Sequence, residues 1–140
     1  PGERGKASGR SSNWGTADDY VQTEDNEVCL GVMIEKTTAV DDLDAILDVP
    51  DLGFVFIGPS DLSVQMGHPT NKTHPEVKRQ IEAIEDACVA ADVPLGGIRN
   101  DPQSIADAEQ DGYQILRVGG DLSSIEASLG EQLTTIRDGN

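Results

Sequence analysis

The apolar residues of this chain gather in short blocks, and the stretches between them change period. Val28-Cys29-Leu30-Gly31-Val32-Met33-Ile34 is an almost unbroken apolar run that stops at Glu35, the pattern of a strand buried on both faces. Phe54-Val55-Phe56-Ile57 repeats it and ends in Gly58-Pro59-Ser60-Asp61. Pro94-Leu95-Gly96-Gly97-Ile98 is a weaker third strand. Tyr113-Gln114-Ile115-Leu116-Arg117-Val118 is a fourth, closed by Gly119-Gly120-Asp121. Between the strands the spacing becomes helical. Residues 38–47 carry Val40, Leu43, Ile46 and Leu47, and residues 75–91 carry Val77, Ile81, Ile84, Cys88 and Val89 on one face behind Pro75, which suits a first helical turn. A short helix is predicted over 105–111, stopped by Gly112, and a last one over 122–136. Ahead of the first strand, the Gly- and Ser-rich opening 1–15 reads as a loop. Thr16 is placed to cap a helix over 17–25, with Asp18 and Asp19 in its first turn.

Strands that alternate with helices imply an α/β fold with parallel strands and right-handed crossovers. Strand–helix units of this number fit a small doubly wound sheet. They fit equally half of a (β/α)8 TIM barrel, which takes about 250 residues in full. Periodicity leaves both open.

Composition narrows the function classes. With 26 acidic against 10 basic side chains, the formal charge is -16, which opposes nucleic acid and anionic membranes as partners. No apolar run approaches the roughly 20 residues of a membrane span, and PGERGKASGRSS has no leader-like apolar stretch. The acids are spread along the chain, Asp outnumbers Glu, and the lysines are only Lys6, Lys36, Lys72 and Lys78. That distribution reads as a halophilic surface, where salt screens the self-repulsion of a compact acidic protein. Cys29 and Cys88 are too few for a disulfide framework or a zinc site. They read as two buried thiols, with the cytoplasm as the expected location.

In parallel α/β folds, ligands bind beyond the carboxyl ends of the strands. There the chain offers Glu35 after the first strand and Asp61 after the second, two hard oxygen donors suited to Mg²⁺ or Mn²⁺; two solvated acids are the plainer alternative. The Gly58-Pro59-Ser60-Asp61 turn would aim the Ser60 and Asp61 N–H groups at a carboxylate or phosphate. Neither a GxGxxG fingerprint nor a Walker sequence is present. His74 precedes Pro75 and reads as a cap or surface residue, and His68 lies in a polar loop. Ser11, Ser12 and Trp14 have no base nearby in sequence, so a nucleophilic triad is unsupported.

Ile34-Glu35, the block Phe56-Ile57-Gly58-Pro59-Ser60-Asp61-Leu62-Ser63, Met66-Gly67 and His74-Pro75-Glu76-Val77 together resemble the HpcH/HpaI aldolase family. Its members include 2-keto-3-deoxy sugar-acid and 2,4-dihydroxyhept-2-ene-1,7-dioate aldolases. Pro1-Gly2-Glu3-Arg4-Gly5, Gly97-Ile98 and Val118-Gly119-Gly120-Asp121 are similar to its other strand borders. The resemblance implies that residues 1–140 are the C-terminal half, strands five to eight, of a (β/α)8 barrel. It implies a class II aldolase that cleaves or forms 4-hydroxy-2-oxo acids from pyruvate and an aldehyde through a pyruvate enolate. By the same resemblance Glu35 and Asp61 are ligands of a divalent metal (Mg or Mn, or Co). Gly58, Pro59, Ser60, Asp61 and Arg99 would then line the substrate pocket. The catalytic Arg and the His base would belong to the N-terminal half, and the last helix would be exchanged between subunits of a homo-oligomer. Met33 stands where sugar-acid members often carry Gln, and Arg99 where many carry an apolar residue. The alternatives are a non-catalytic remnant or interaction module of the same fold, and an acyl-CoA lyase of the citrate lyase beta type.

The charge gives the first testable consequence. At -16 on 140 residues, lowering the ionic strength is expected to unfold the protein. Circular dichroism over a KCl series reads this directly, and a folded signal that stays flat from millimolar to molar salt removes the halophilic reading.

Overall fold

A computed structural model describes residues 8–138; the Pro1-Gly2-Glu3-Arg4-Gly5 stretch lies outside the described residues. The chain forms two compact units, Pro1–Leu30 and Gly31–Asn140. In the first, a 3-10 turn over Asn13–Gly15 precedes helix α1, Tyr20–Glu27. The Ser12 hydroxyl oxygen accepts from the N–H groups of Gly9 at 3.0 Å and Gly15 at 3.2 Å. The helix expected over 17–25 therefore starts later, and Thr16 does not cap it. Its hydroxyl donates instead to the Asn13 carbonyl at 2.7 Å, closing the turn. Asp19, at φ 52°, leads into α1, so neither Asp18 nor Asp19 lies in the first turn.

The second unit holds the strand–helix alternation. Strand β1 is Leu30–Ile34, followed by α2, Thr37–Asp41, and α3, Leu43–Leu47. Strand β2, Leu52–Ile57, runs into α4, Pro59–Gln65, and then α5, Pro75–Ala90. Strand β3, Leu95–Ile98, is followed by α6, Pro102–Gln110. Strand β4, Tyr113–Arg117, leads to α7, Asp121–Asp138. The single helix expected over 38–47 is broken at Asp42, whose φ of -98° and ψ of 13° leave the helical region. The parallel sheet has the order β1-β2-β3-β4, with Val55 opposite Leu95 and Phe56 opposite Gly96. A register shift after Leu95 brings Gly96 opposite Ile115 and Ile98 opposite Arg117.

One face of the sheet carries the core. Ile34, Val55, Ile57 and Leu95 pack with Leu43, Leu62, Ile84, Cys88, Ala108 and Tyr113, which places α3, α4, α5 and α6 over that face. Because side chains alternate along a strand, Met33, Phe54 and Phe56 turn the other way. Met33 is exposed, and the two rings lie across neighbouring glycines. A Cβ at Gly31 would strike the Phe54 ring, and one at Gly96 would stand 2.7 Å from the Phe56 ring. Strand β1 is thus covered less than the two-sided burial its apolar run suggests: Ile34 is buried and Val32 partly so on the helix-facing side, Met33 on the other side is exposed, and Leu30 at the start of the strand is exposed as well. The apolar stripe of α7 is exposed along its length, at Leu122, Ile125, Leu129, Leu133 and Ile136. Among the described residues no helix is long and apolar enough to cross a membrane.

The two cysteines part company here. Cys88 is buried within the core as expected, but Cys29, which lies just ahead of β1, is exposed. Burial, assisted by the Glu85 carboxylate, pushes the Cys88 thiol up to about 11, so it stays protonated at neutral pH and its thiolate is withheld. Iodoacetamide at pH 8 is expected to alkylate Cys29 in the native protein and Cys88 only after denaturation. Peptide mapping by mass spectrometry that finds both equally modified in the native state would contradict the packing of α5.

Candidate functional site

The site begins with a strand-end hydrogen bond. The Gly58 N–H donates to the Ile34 carbonyl at 3.0 Å, locking the end of β2 to the end of β1. The residue after each partner is then fixed: Glu35 on one strand, Pro59 on the other. Pro59 occupies the first turn of α4, where its missing N–H costs nothing and its fixed φ favours the helix. The first backbone bond of α4 runs from the Leu62 N–H to the Gly58 carbonyl at 3.1 Å. The N–H groups of Ser60 and Asp61 precede it, in the position where helix donors lack an intrahelical acceptor.

Gly58 measures how close Glu35 stands to this turn. A Cβ placed there would lie 2.9 Å from the Glu35 Cβ, 3.4 Å from its Oε2 and 3.4 Å from the Met33 sulfur. Glu35 is partly buried, whereas Asp61 and Ser60 are exposed. Ser60 and Asp61 open onto a hollow of about 330 Å³ whose wall also includes Ser63, Val64, Thr70 and Lys72. Behind it the turn is held from within: the buried Ser63 donates its hydroxyl to the Ser60 carbonyl at 2.7 Å. The structure thus brings Glu35 beside Gly58 at the ends of β1 and β2, while Ser60 and Asp61, in the first turn of α4, line a hollow whose wall does not include Glu35.

Arg99 is not among them. Its guanidinium lies 4.6 Å from the centroid of the Tyr113 ring and donates to the Ile98 carbonyl at 2.9 Å. It borders a different hollow, together with Lys78, Glu85 and Asp107. The Tyr113 hydroxyl donates to Glu85 Oε1 at 2.5 Å. Burial first, and then the Glu85 carboxylate, raise the phenol's pKa, while Arg99 pulls it the other way. Arg99, Tyr113 and Glu85 form a structural brace between β4 and α5.

The two histidines meet in the loop between α4 and α5. Their rings stack with centroids 3.5 Å apart and planes 16° from parallel. As a helix cap His74 behaves as its place before Pro75 suggests: its Nδ1 accepts from the Glu76 N–H at 3.3 Å. His68 Nε2 lies 2.8 Å from Glu76 Oε2, a contact that lowers the pKa of Glu76. Sequence reading missed this cluster and the part of Thr70 and Lys72 in the hollow, because both depend on how an irregular loop turns.

Comparison with known proteins adds the family context. A model of the HpcH/HpaI aldolase/citrate lyase family matches residues 2–127. The 2-keto-3-deoxy-L-rhamnonate aldolase of Escherichia coli (strain K12) is 36% identical over 140 residues, covering 99% of this chain and 52% of that protein. The crystal structure of an HpcH/HpaI aldolase/citrate lyase family protein from Burkholderia cenocepacia J2315 superposes with a TM-score of 0.85 at 28% identity, over 97% of this chain and 53% of the other. The HpcH/HpaI aldolase of Desulfitobacterium hafniense DCB-2 gives 0.81 at 28% identity, over 97% and 54%. The chain spans about half the length of the curated relatives it matches. Its four-stranded parallel sheet and helices correspond to the C-terminal half of the TIM-barrel aldolase fold.

The closeness of Gly58 to Glu35 can be tested by filling it. Gly58→Ala puts a methyl group 2.9 Å from the Glu35 Cβ, and such overpacking costs about 1–3 kcal/mol. Urea denaturation is expected to show a lower midpoint with an unchanged slope. A midpoint equal to that of the parent would mean that Glu35 is not packed against the turn.

Proposed function

The chain belongs to the HpcH/HpaI aldolase/citrate lyase family, and on that premise we propose that it carries the metal-binding half of a class II aldolase. The reaction is the cleavage or formation of a 4-hydroxy-2-oxo acid, with pyruvate and an aldehyde as the other side of the equation. Residues 1–140 act in this reading as strands five to eight of the barrel, and the remaining barrel strands supply the arginine and the histidine base. The observation that supports the proposal is the approach of Glu35 to Gly58, the residue that leads into the turn carrying Asp61.

The donor set fits the metal. Glu35 and Asp61 are hard oxygen donors from separate elements, leaving coordination positions for water and substrate oxygens, as Mg²⁺, Mn²⁺ or Co²⁺ in such sites requires. A divalent cation held there supplies Lewis acidity toward the keto oxygen of pyruvate and favours loss of a methyl proton. The chain's own part is to bind and orient. Ser60 and Asp61 offer backbone N–H groups to the pyruvate carboxylate, Pro59 fixes the direction of the turn, and Gly58 leaves room for Glu35 beside it. Val64 and the loop residue Thr70 give the hollow its less polar wall, and Lys72 gives it a cation.

The sheet face bearing Phe54, Phe56 and Ile115 becomes the barrel interior in this reading, and the exposed stripe of α7 is covered in an oligomer. The name of the Escherichia coli relative supports a sugar-derived 2-keto-3-deoxy acid as the substrate class.

Glu35→Ala or Asp61→Ala in the full-length protein is expected to abolish Mg²⁺ and Mn²⁺ binding by calorimetry and to remove retro-aldol activity with it. Either variant leaves one carboxylate to hold a cation that gives up its water reluctantly. Unchanged affinity in both variants would overturn the assignment.

A further inference from the structure

The stacked pair His68 and His74, with Glu76 beside it, has no part in the aldolase reading. These are the only two histidines in 140 residues. One ligand atom from each of the three side chains lies within 4.8 Å of the other two. The two histidines are reached without regular structure, whereas Glu76 lies in the first turn of α5. The His68 N–H donates to the Ser63 carbonyl at 2.8 Å, the Asn71 N–H to the His68 carbonyl at 3.1 Å, and the His74 N–H to the Asn71 carbonyl at 3.1 Å. The loop includes Gly67 at φ 79° and Thr70 at φ 66°, the latter a conformation that a β-branched residue adopts only at a cost. The result is two stacked imidazoles and one carboxylate with a donor atom of each close to the others, so that a shared cation requires one ring to swing out of the stack.

We propose that His68, His74 and Glu76 form a divalent transition-metal site, distinct from the Glu35 and Asp61 edge, that fastens the α4–α5 loop to the start of α5. The donor chemistry selects the metal. Two imidazole nitrogens and one carboxylate suit Zn²⁺, Co²⁺, Ni²⁺ or Cu²⁺, whereas Mg²⁺ and Ca²⁺ favour all-oxygen sets. Donors in a tetrahedral zinc site stand about 3.4 Å apart, given bonds of about 2.0–2.1 Å. The widest separation allowed by the 4.8 Å limit must then close by about 1.4 Å. His68 and Glu76 are accessible enough to move, at 24% and 54% side-chain exposure. A cation would take the place of the proton now shared between His68 Nε2 and Glu76 Oε2. The chain's charge of -16 favours a dication in its surroundings. Three protein donors leave the fourth position to water.

The consequence reaches the candidate active site through the loop itself. Thr70 and Lys72 belong to the bridged segment and form part of the wall of the Ser60–Asp61 hollow. Loading the site would therefore stiffen that wall without touching the Glu35 edge.

The test uses the full-length protein in excess Mg²⁺, so that oxygen-donor sites are filled, with Zn²⁺ titrated by calorimetry and Cu²⁺ followed by electron paramagnetic resonance. One equivalent of Zn²⁺ and nitrogen hyperfine structure from two imidazoles are expected. His68→Ala and His74→Asn should each weaken Zn²⁺ by more than about 100-fold, beyond the 10–100-fold typical of an outer-sphere partner. Asn keeps a capping side chain at the start of α5, and His68 lies outside any helix, so circular dichroism should be unchanged in both. Amide exchange over 67–73 should slow on Zn²⁺ addition in the parent and not in His68→Ala. Zn²⁺ binding at parental strength in either histidine variant would overturn the proposal, as would loss of Zn²⁺ in Glu35→Ala, which would put the ion at the carboxylate edge.

Discussion

The hydrogen bond from the Gly58 N–H to the Ile34 carbonyl, 3.0 Å long, sets the position of everything at the strand edge. Parallel strands have evenly spaced, slanted bonds, so one pairing at the end of β1 and β2 fixes which residues leave the sheet side by side. Here those residues are Glu35 and the Pro59-Ser60-Asp61 turn. A shift of register by one residue would turn Glu35 toward the helical layer, since side chains alternate faces. The buried Ile34 and Ile57, which precede Glu35 and Gly58, oppose such a slip because their apolar surface would then face outward. The core and the candidate site are thus consequences of one register.

The two faces of the sheet are built by different means. Toward the helices, branched aliphatic side chains from β1, β2 and β3 meet Ile84 and Cys88 of α5 and Leu62 of α4, the close packing that gives burial its value. On the opposite face aromatic rings lie over glycines: Phe54 over Gly31 and Phe56 over Gly96. There the absence of a side chain on one strand makes the room that the next strand's ring fills. The glycines that weaken β3 as a strand are therefore placed where a larger residue would displace a ring.

The strands and the long helix α5 were legible because their signals are periodic. The unbroken run at 28–34 and the block at 54–57 mark buried strands, and five apolar positions at helical spacing mark α5 to within a residue. What periodicity cannot report is which side of a strand another element covers, or how far along the strand the cover extends, so the exposure of Met33 on one count and of Leu30 and Cys29 on the other went unread. Nor can it weigh local competitors. Thr16 had the chemistry of a helix cap, but the Asn13 carbonyl three residues back captured its hydroxyl first. The site was legible in the same uneven way. Glu35 and the Gly58–Asp61 turn follow strands directly, so the end of the strand gives their place. Arg99 also follows a strand, yet its long side chain turns to the Tyr113 ring, where a flat guanidinium gains cation–π attraction.

That turn of Arg99 bears on charge at the candidate site. With Arg99 engaged by Tyr113 and the Ile98 carbonyl, the cation bordering the Ser60–Asp61 hollow is Lys72, which comes from the irregular loop and not from a strand end. A loop lysine is a hydrated point charge on a flexible stem, whereas an arginine at a strand end would present a rigid fork. In the proposed reading, an anionic group entering from solvent would meet a flexible cation at the rim, with the Ser60 and Asp61 N–H groups as the donors held by the turn. The physical division is between a framework set by strand register and an outer wall set by a loop. Differences in substrate reach are expected in the loop, because it can change without disturbing the bond between Gly58 and Ile34.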